Sequence, residues 1–516
     1  MPRKYLVNFF FAFLAIFGKK TTLASEINIS RVDSDLQKIG VLTVGNFGPS
    51  IENTNLTVIS RYNQIFFMKQ VGQTLVETGP LGEILPGLAQ SWTISENGLS
   101  YVFKLRLATF HSGHEITARD IVYSLNLAIY SVENVASLYL SDLEGYEDGK
   151  ATKVCRGIKI IDKNTVSIRL TRSFSPFLKV LSSGSLAITR ERSTRSDHDI
   201  FDGSGPYKVV KREGDKLFLS AFNDYSGIYP ASIKDIILLS AGNPQSTAAP
   251  NSTKVLPDYN VLAIGETLKD YDPKIYAKID TPAIVESGFY LNMRLKKYRN
   301  SQENRLNLLS LLWLAAKNIQ FDHPGQTLSD FYPKGMLGHR DNRKSYADFI
   351  KELEKRAGKI SSKEPICVSF HTLLGAEDKF RSEIKLLSGR DVNFLKLPGI
   401  NALRDWQTYN CDAYFMTWQS VFLDPESAIT PLRFLASFSD SDFRRFSTLS
   451  QKANANITDD KRVGYFDQIA DVIFNSATYL PIYQPNHVQF LKKPFQLGSS
   501  SYRYQPMVSE VNKSQK

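Results

Sequence analysis

The clearest local pattern begins at Ser100. From Tyr101 to Leu107 the residues Tyr101, Phe103, Leu105 and Leu107 are apolar, while Lys104 and Arg106 point the other way. That period of two predicts a strand with one buried face. A turn follows at His111-Ser112-Gly113-His114, and Thr117 stands where a helix should start. Its hydroxyl can accept from an orphan amide of the first turn, and Asp120 suits the positive helix end. Ile121, Val122, Leu125, Ala128 and Ile129 then recur on one helical face. A hairpin is readable from Gly157 to Leu170, with Val166, Ile168 and Leu170 alternating after the turn Asp162-Lys163-Asn164. Gly203–Pro206 breaks the chain before a strand at Tyr207–Val210, which Gly214-Asp215 returns into Leu217–Leu219. Ala241–Ser252 is polar, holds two prolines and reads as a surface loop. Tyr290–Met293 predicts a strand leading to a helix over Arg305–Ala316. From Pro365 to Trp418 strand and helix patterns alternate: Ile366–Phe370, Phe380–Leu387, Val392–Leu397 and Ala413–Trp418. Such alternation points to a mixed or parallel sheet covered by helices. A last helix spans Asp459–Phe474, with Val463, Phe466, Ile469 and Ile473 inward.

The chain has 516 residues, enough for about three domains. Its 42% apolar and 22% charged residues exclude a disordered or fibrous protein. Of the net charge of +11, four positive charges (Arg3, Lys4, Lys19, Lys20) lie within the first 24 residues; +11 less these four leaves +7 on 492 residues. That mild excess gives no sign of a nucleic-acid groove. The apolar run Tyr5–Gly18 spans ~21 Å as a helix, short of the ~30 Å hydrocarbon core. With small residues at Thr22 and Ala24, residues 1–24 read as a secretory signal, an uncleaved anchor being the alternative. Export places Cys155, Cys367 and Cys411 in an oxidising compartment. Their number is odd, their spacing fits no metal or CxxC motif, and a chain this size folds without staples. The expectation is three buried free thiols, with a Cys367–Cys411 bridge as the alternative.

Catalytic chemistry finds little support. His111 and His114 are three apart and broken by Gly113, whereas a zinc protease holds its pair four apart on one helix. These residues read as a turn, and no metal or cofactor is expected. There is no nucleophile elbow and no phosphate-cradling Gly-rich loop. His198 and Asp199 read as solvated loop. Trp406 and Trp418, which bracket Cys411–Met416, are more informative. Packing in the core is the plain reading of both. Yet Trp418 stands where a strand leaves its sheet, the edge at which open sheets bind ligands, and an aromatic there suits a permissive pocket.

Ordered motifs add a resemblance. GEILPGLAQSW (Gly82–Trp92), ENGLSYVFKLR (Glu96–Arg106) and FHSGHEITARDIVYSL (Phe110–Leu125) resemble, in order and spacing, the signature of family 5 extracytoplasmic solute-binding proteins, the oligopeptide- and dipeptide-binding group of ABC importers. Gly157–Leu170, Gly203–Val210 with Asn223-Asp224-Tyr225, Tyr332–Met336, Asp412–Pro425 and Leu480–Pro485 follow in that family's order. The resemblance implies a mixed α/β, two-lobe periplasmic-binding-protein clamshell of class II with an additional inserted subdomain. Lobe I would comprise 25–70, 201–292 and 484–516, the inserted subdomain 71–200, and lobe II 293–483. It further implies a peptide or other small solute held in the cleft, delivery to an inner-membrane ABC permease, a monomer in the periplasm, no nucleic-acid partner and no catalysis. The residues it places at the ligand are Trp418, Gln419, Ser420 and Val421, followed by Trp406 and Tyr483. Three departures bear on the ligand. Val421 stands where peptide binders commonly hold an Asp for the ligand's α-ammonium, so a charge-assisted bond of roughly 1.5–3 kcal/mol is missing. Asp424 matches a structural acid instead. The segment between Trp406 and Trp418 is short, and the Ala241–Ser252 loop replaces an amphipathic helix. The competing reading is therefore a sensory or scaffolding envelope protein of the same fold, with a decayed cleft or one for a sugar, metal chelate or opine.

Overall fold

The computed structural model describes residues 39–47, 62–79, 82–131, 134–146, 155–191, 201–213, 216–240, 258–260, 271–319, 321, 324–356, 364–370, 376–397, 406–435, 438–455, 458–497, 508 and 511–513. The expected signal segment, His198-Asp199 and the Ala241–Ser252 loop lie outside the described residues. After β1 (Ile39–Phe47) the chain builds a layer of its own. β2 (Ala89–Ile94), β3 (Ser100–Leu105), β4 (Ile158–Asp162) and β5 (Thr165–Arg169) form an antiparallel sheet in the order β2-β3-β5-β4. Tyr101, Phe103 and Leu105 turn inward while Val102 and Lys104 stay exposed. Leu107, expected on the inner face, is 79% exposed, because the strand ends at Leu105. α1 (Ala118–Ile129) follows, and Asp120 Oδ2 accepts from the Thr117 backbone N–H and hydroxyl at 2.9 and 2.8 Å, a capping box at its start. Ile121, Leu125, Ala128 and Ile129 are buried as expected; Val122 is only half-buried.

The rest of the chain forms a 12-stranded sheet. Its main members are β6 (Tyr207–Glu213), β7 (Lys216–Ala221), β8 (Ile233–Ser240), β9 (Tyr276–Pro282), β10 (Val285–Leu291), β11 (Ile366–Phe370), β12 (Val392–Lys396), β13 (Ala413–Gln419) and β14 (Tyr479–Lys492). The order is β12-β11-β13-β10-β14, then the short strand Tyr259–Asn260, then β1-β8-β7-β6, with β9 also on β14. Helices α2 (Gln302–Lys317), α3 (Glu377–Ser388), α4 (Pro425–Phe434), α5 (Asp440–Ala453) and α6 (Asp459–Ser476) cover the first half. There β11 runs parallel to both β12 and β13, the mixed sheet that the alternating pattern predicts.

β14 serves both halves. Its early residues pair with β10 and its later ones, from Asn486 on, with β9. Since only Ala283 and Ile284 separate β9 from β10, the halves are joined by two short crossings, 282–285 and 483–486, tied by the Ala283 N–H donating to Pro485 O at 3.1 Å. Two lobes on paired crossings, with a separate inserted layer, make the clamshell that the resemblance implies.

The expectation of three free thiols is corrected. Cys367 and Cys411 form a disulfide with Cα atoms 4.6 Å apart, and only Cys155 is free and buried among the described residues. Pairing of β11 with β13 brings the two together, as the Asp412 N–H donating to Cys367 O at 2.8 Å shows. A sequence separation of 44 conceals that adjacency.

Candidate ligand-binding site

The strand that carries Trp418 has two unequal edges. Along one, β13 pairs antiparallel with β10 from Leu291↔Ala413 to Val285↔Gln419. Along the other, β11 accompanies it only as far as Phe370↔Phe415. Beyond that point no described strand pairs with Met416–Gln419 on that side. The Ser420 N–H donates to Ile284 O at 3.0 Å, so the backbone of alternate residues faces β10. By alternation, Thr417 and Gln419 present their N–H and C=O groups to the other edge.

Just past this edge the chain turns into α4, and its first turn gathers contacts from α6 and from the inserted layer. The Trp418 indole N–H donates to Ser427 O at 2.8 Å, and the Val421 N–H donates to Ser427 Oγ at 2.8 Å. From the inserted layer, Tyr139 Oη lies 3.1 Å from the same Oγ, and its ring meets Phe422 edge-on at 4.8 Å. Asp424 caps α4, accepting from the Glu426 N–H at 3.1 Å. Its fully buried carboxylate takes two bonds from Arg462, at 2.7 and 2.9 Å, and one from Lys179 of the inserted layer at 2.9 Å. Burial pushes this carboxyl up, but Arg462 and Lys179 outweigh it and hold it below its ordinary range. Asp424 therefore ties the start of α4 to α6 and to the inserted layer.

The six expected site residues do not gather at one point. Trp418, Ser420 and Val421 are buried and Gln419 half-buried around the edge and the α4 corner. Trp406 is fully buried and stacks on Tyr414 at 5.5 Å, a core position behind β13. Tyr483 faces the opposite side of the sheet. It pairs with Ser287, whose hydroxyl lies 3.0 Å from that of Thr417, whereas Trp418 pairs with Glu286. Its ring lies 4.5 Å from Phe321, at a cavity of about 490 Å³ that Trp313, Lys317 and Thr327 also line. His111 sits in the turn between β3 and α1 with Nε2 3.0 Å from Gly205 O, and burial lowers its pKa.

Sequence reasoning passes over Glu286, Tyr139 and Ser427. Glu286 is 1% exposed and neither carboxylate oxygen has a hydrogen-bond partner among the described residues. Burial pushes its pKa well above the carboxylate range. Its signal in the sequence is a single acid within VESGFYL, every residue of which is buried. Tyr139 and Ser427 leave no such trace.

Comparison with known proteins decides what kind of chain this is. The profile of bacterial extracellular solute-binding proteins, family 5 middle, matches residues 83–306. Over this span the chain is similar to that family. The dipeptide-binding protein DppE of Bacillus subtilis (strain 168) is 21% identical over 472 residues, covering 82% of this chain and 82% of DppE. For the dipeptide-binding protein of Escherichia coli (strain K12) the match is 23% over 298 residues, and the chain spans about half that relative's length, 55%. The structure of Helicobacter pylori DppA in complex with the peptide STSA superposes with a TM-score of 0.72 at 18% identity, covering 93% of this chain and 99% of DppA. That likeness establishes the clamshell. The family is one of binding proteins. No helix among the described residues is long and apolar enough to cross a membrane.

Proposed function

We propose that this protein is the periplasmic solute-binding component of an ABC importer, exported by its N-terminal signal. It would capture a peptide or peptide-like solute between its lobes, deliver it to an inner-membrane permease, and catalyse nothing. The observation that carries this reading is the Met416–Gln419 edge, beside the corner where the inserted layer meets α4. An extended ligand adds to such an edge as a further strand, and main-chain bonds give affinity that does not depend on its sequence. A micromolar complex needs only about −8 kcal/mol, within reach of a few such bonds plus buried apolar area. The names of relatives that bind dipeptides and of a solved complex with STSA support a peptide guest. The 282–285 and 483–486 crossings are the natural hinge for closure. Trp418, Gln419, Ser420 and Val421 are the residues we place at the ligand. Tyr483 belongs to this site only if the ligand reaches the far face of the sheet.

Native mass spectrometry of the protein purified from its own cell tests the reading. A bound small molecule, displaced by a peptide pool that also raises the Tm, is the expected result. An empty protein indifferent to every peptide would contradict it. Val421→Asp tests the peptide class separately. Calorimetry should find free-amine peptides binding roughly tenfold tighter or better, the effect of one charge-assisted bond. Unchanged or weaker binding would point to another class of ligand.

A further inference from the structure

Glu286 is the second residue of β10, immediately past the crossing between the lobes and directly opposite Trp418. Its carboxylate is enclosed without a donor or counter-charge among the described residues, which is destabilising for a residue of purely structural use. Three other fully buried acids are handled differently. Asp330 is bonded by Arg343, Asp424 by Arg462 and Lys179, and Glu426 by Asn454 and Arg433. Glu286 stands apart from all three. On its face of the sheet the next residue is Gly288, where a Cβ would come within 2.6 Å of Tyr479 Oη. The Tyr479 ring therefore folds back over the strand toward Glu286, and Tyr290 lies 4.4 Å from it. Neither phenol hydrogen-bonds the carboxylate. The result is a carboxyl among aromatic faces, surroundings that favour a cation.

We propose that Glu286, set against Trp418 beside the lobe crossing, anchors a positively charged group of the bound solute, an ammonium or a guanidinium. This rests on the solute-binding reading above and narrows its ligand to those carrying a cation. Glu286 ionises only as the cation arrives beside it, and the pair so formed orients an otherwise permissive guest, since the cationic group leaves water only where a buried partner meets it.

Three synthetic tripeptide pools test this: one with free amino termini and no Lys or Arg, the same pool N-acetylated, and an acetylated pool carrying one Lys or Arg. The wild type should bind the first or the third at least about tenfold tighter than the acetylated, uncharged pool. Which of the two is favoured tells whether the cation is the terminus or a side chain. Glu286→Gln should erase that preference to within about twofold and raise the Tm of the unliganded protein. Glu286→Met serves if the amide variant folds poorly. Equal affinity of the wild type for all three pools, or a preference that survives in Glu286→Gln, overturns the proposal while leaving peptide binding intact. If the wild type binds no pool, the peptide reading fails on its own account. A panel of simple alkylamines and alkylguanidines then decides: binding that Glu286→Gln abolishes supports the anchor, and no binding overturns it.

Discussion

Replacing Asp424 with alanine is expected to cost about 3–5 kcal/mol, because it leaves the buried, charged Arg462 with only the largely exposed Asp459 as counter-charge. Arg462 is only 3% exposed; Asp424 accepts two of its bonds, at 2.7 and 2.9 Å, and Ala453 O and Asp459 accept the other two at 2.9 Å. The same change removes the α4 cap and the Lys179 contact with the inserted layer. Urea unfolding followed by tryptophan fluorescence should show the fall in midpoint, and Lys179→Ala, whose amine is partly exposed, a much smaller one. The pH dependence follows from the sign of the shift. The folded-state pKa of Asp424 is depressed by Arg462 and Lys179 against the opposing effect of burial. Its contribution is therefore complete above the unfolded carboxyl value of roughly 4 and is lost as pH falls through the lower folded value. Asp424→Asn should flatten that acid limb. An acid limb identical to the wild type's would show that Asp424 carries no such linkage.

The second large effect concerns the disulfide. Changing Cys367 and Cys411 together to serine opens a loop of 44 residues, and chain entropy sets the loss at about 2–4 kcal/mol. Reductant should lower the wild-type midpoint by a similar amount and leave the double variant unmoved. Cys155→Ser should matter far less, since its thiol makes one long contact, 3.4 Å to Glu144 O. Equal midpoints for oxidised and reduced wild type would remove the bridge from the account.

Local patterns made much of the fold legible. The Tyr101–Leu105 alternation, the hairpin at Ile158–Arg169 and the strand ending at Trp418 all lie where periodicity puts them, because each buries one face within a few residues of chain. What stayed hidden depends on partners remote in sequence. Tyr139 and Ser427 are 288 residues apart and Lys179 and Asp424 are 245 apart, yet both pairs meet at the start of α4. The bridge between Cys367 and Cys411 likewise follows from a strand order that spacing does not encode. Motif order alone groups Trp406 and Tyr483 with Trp418. The sheet's alternation sets Tyr483 on the other face, and stacking on Tyr414 holds Trp406 in the core. Glu286 is visible as a lone acid in an apolar strand, but only the lack of a partner for its carboxylate among the described residues gives it meaning.

Small-angle X-ray scattering of ligand-stripped protein, with and without a saturating peptide pool, tests the central claim most directly. Two bodies on paired hinges that shut over a guest should give a smaller radius of gyration and a narrower pair-distance distribution when the pool is added. Superimposable curves under saturating pool would contradict capture by enclosure.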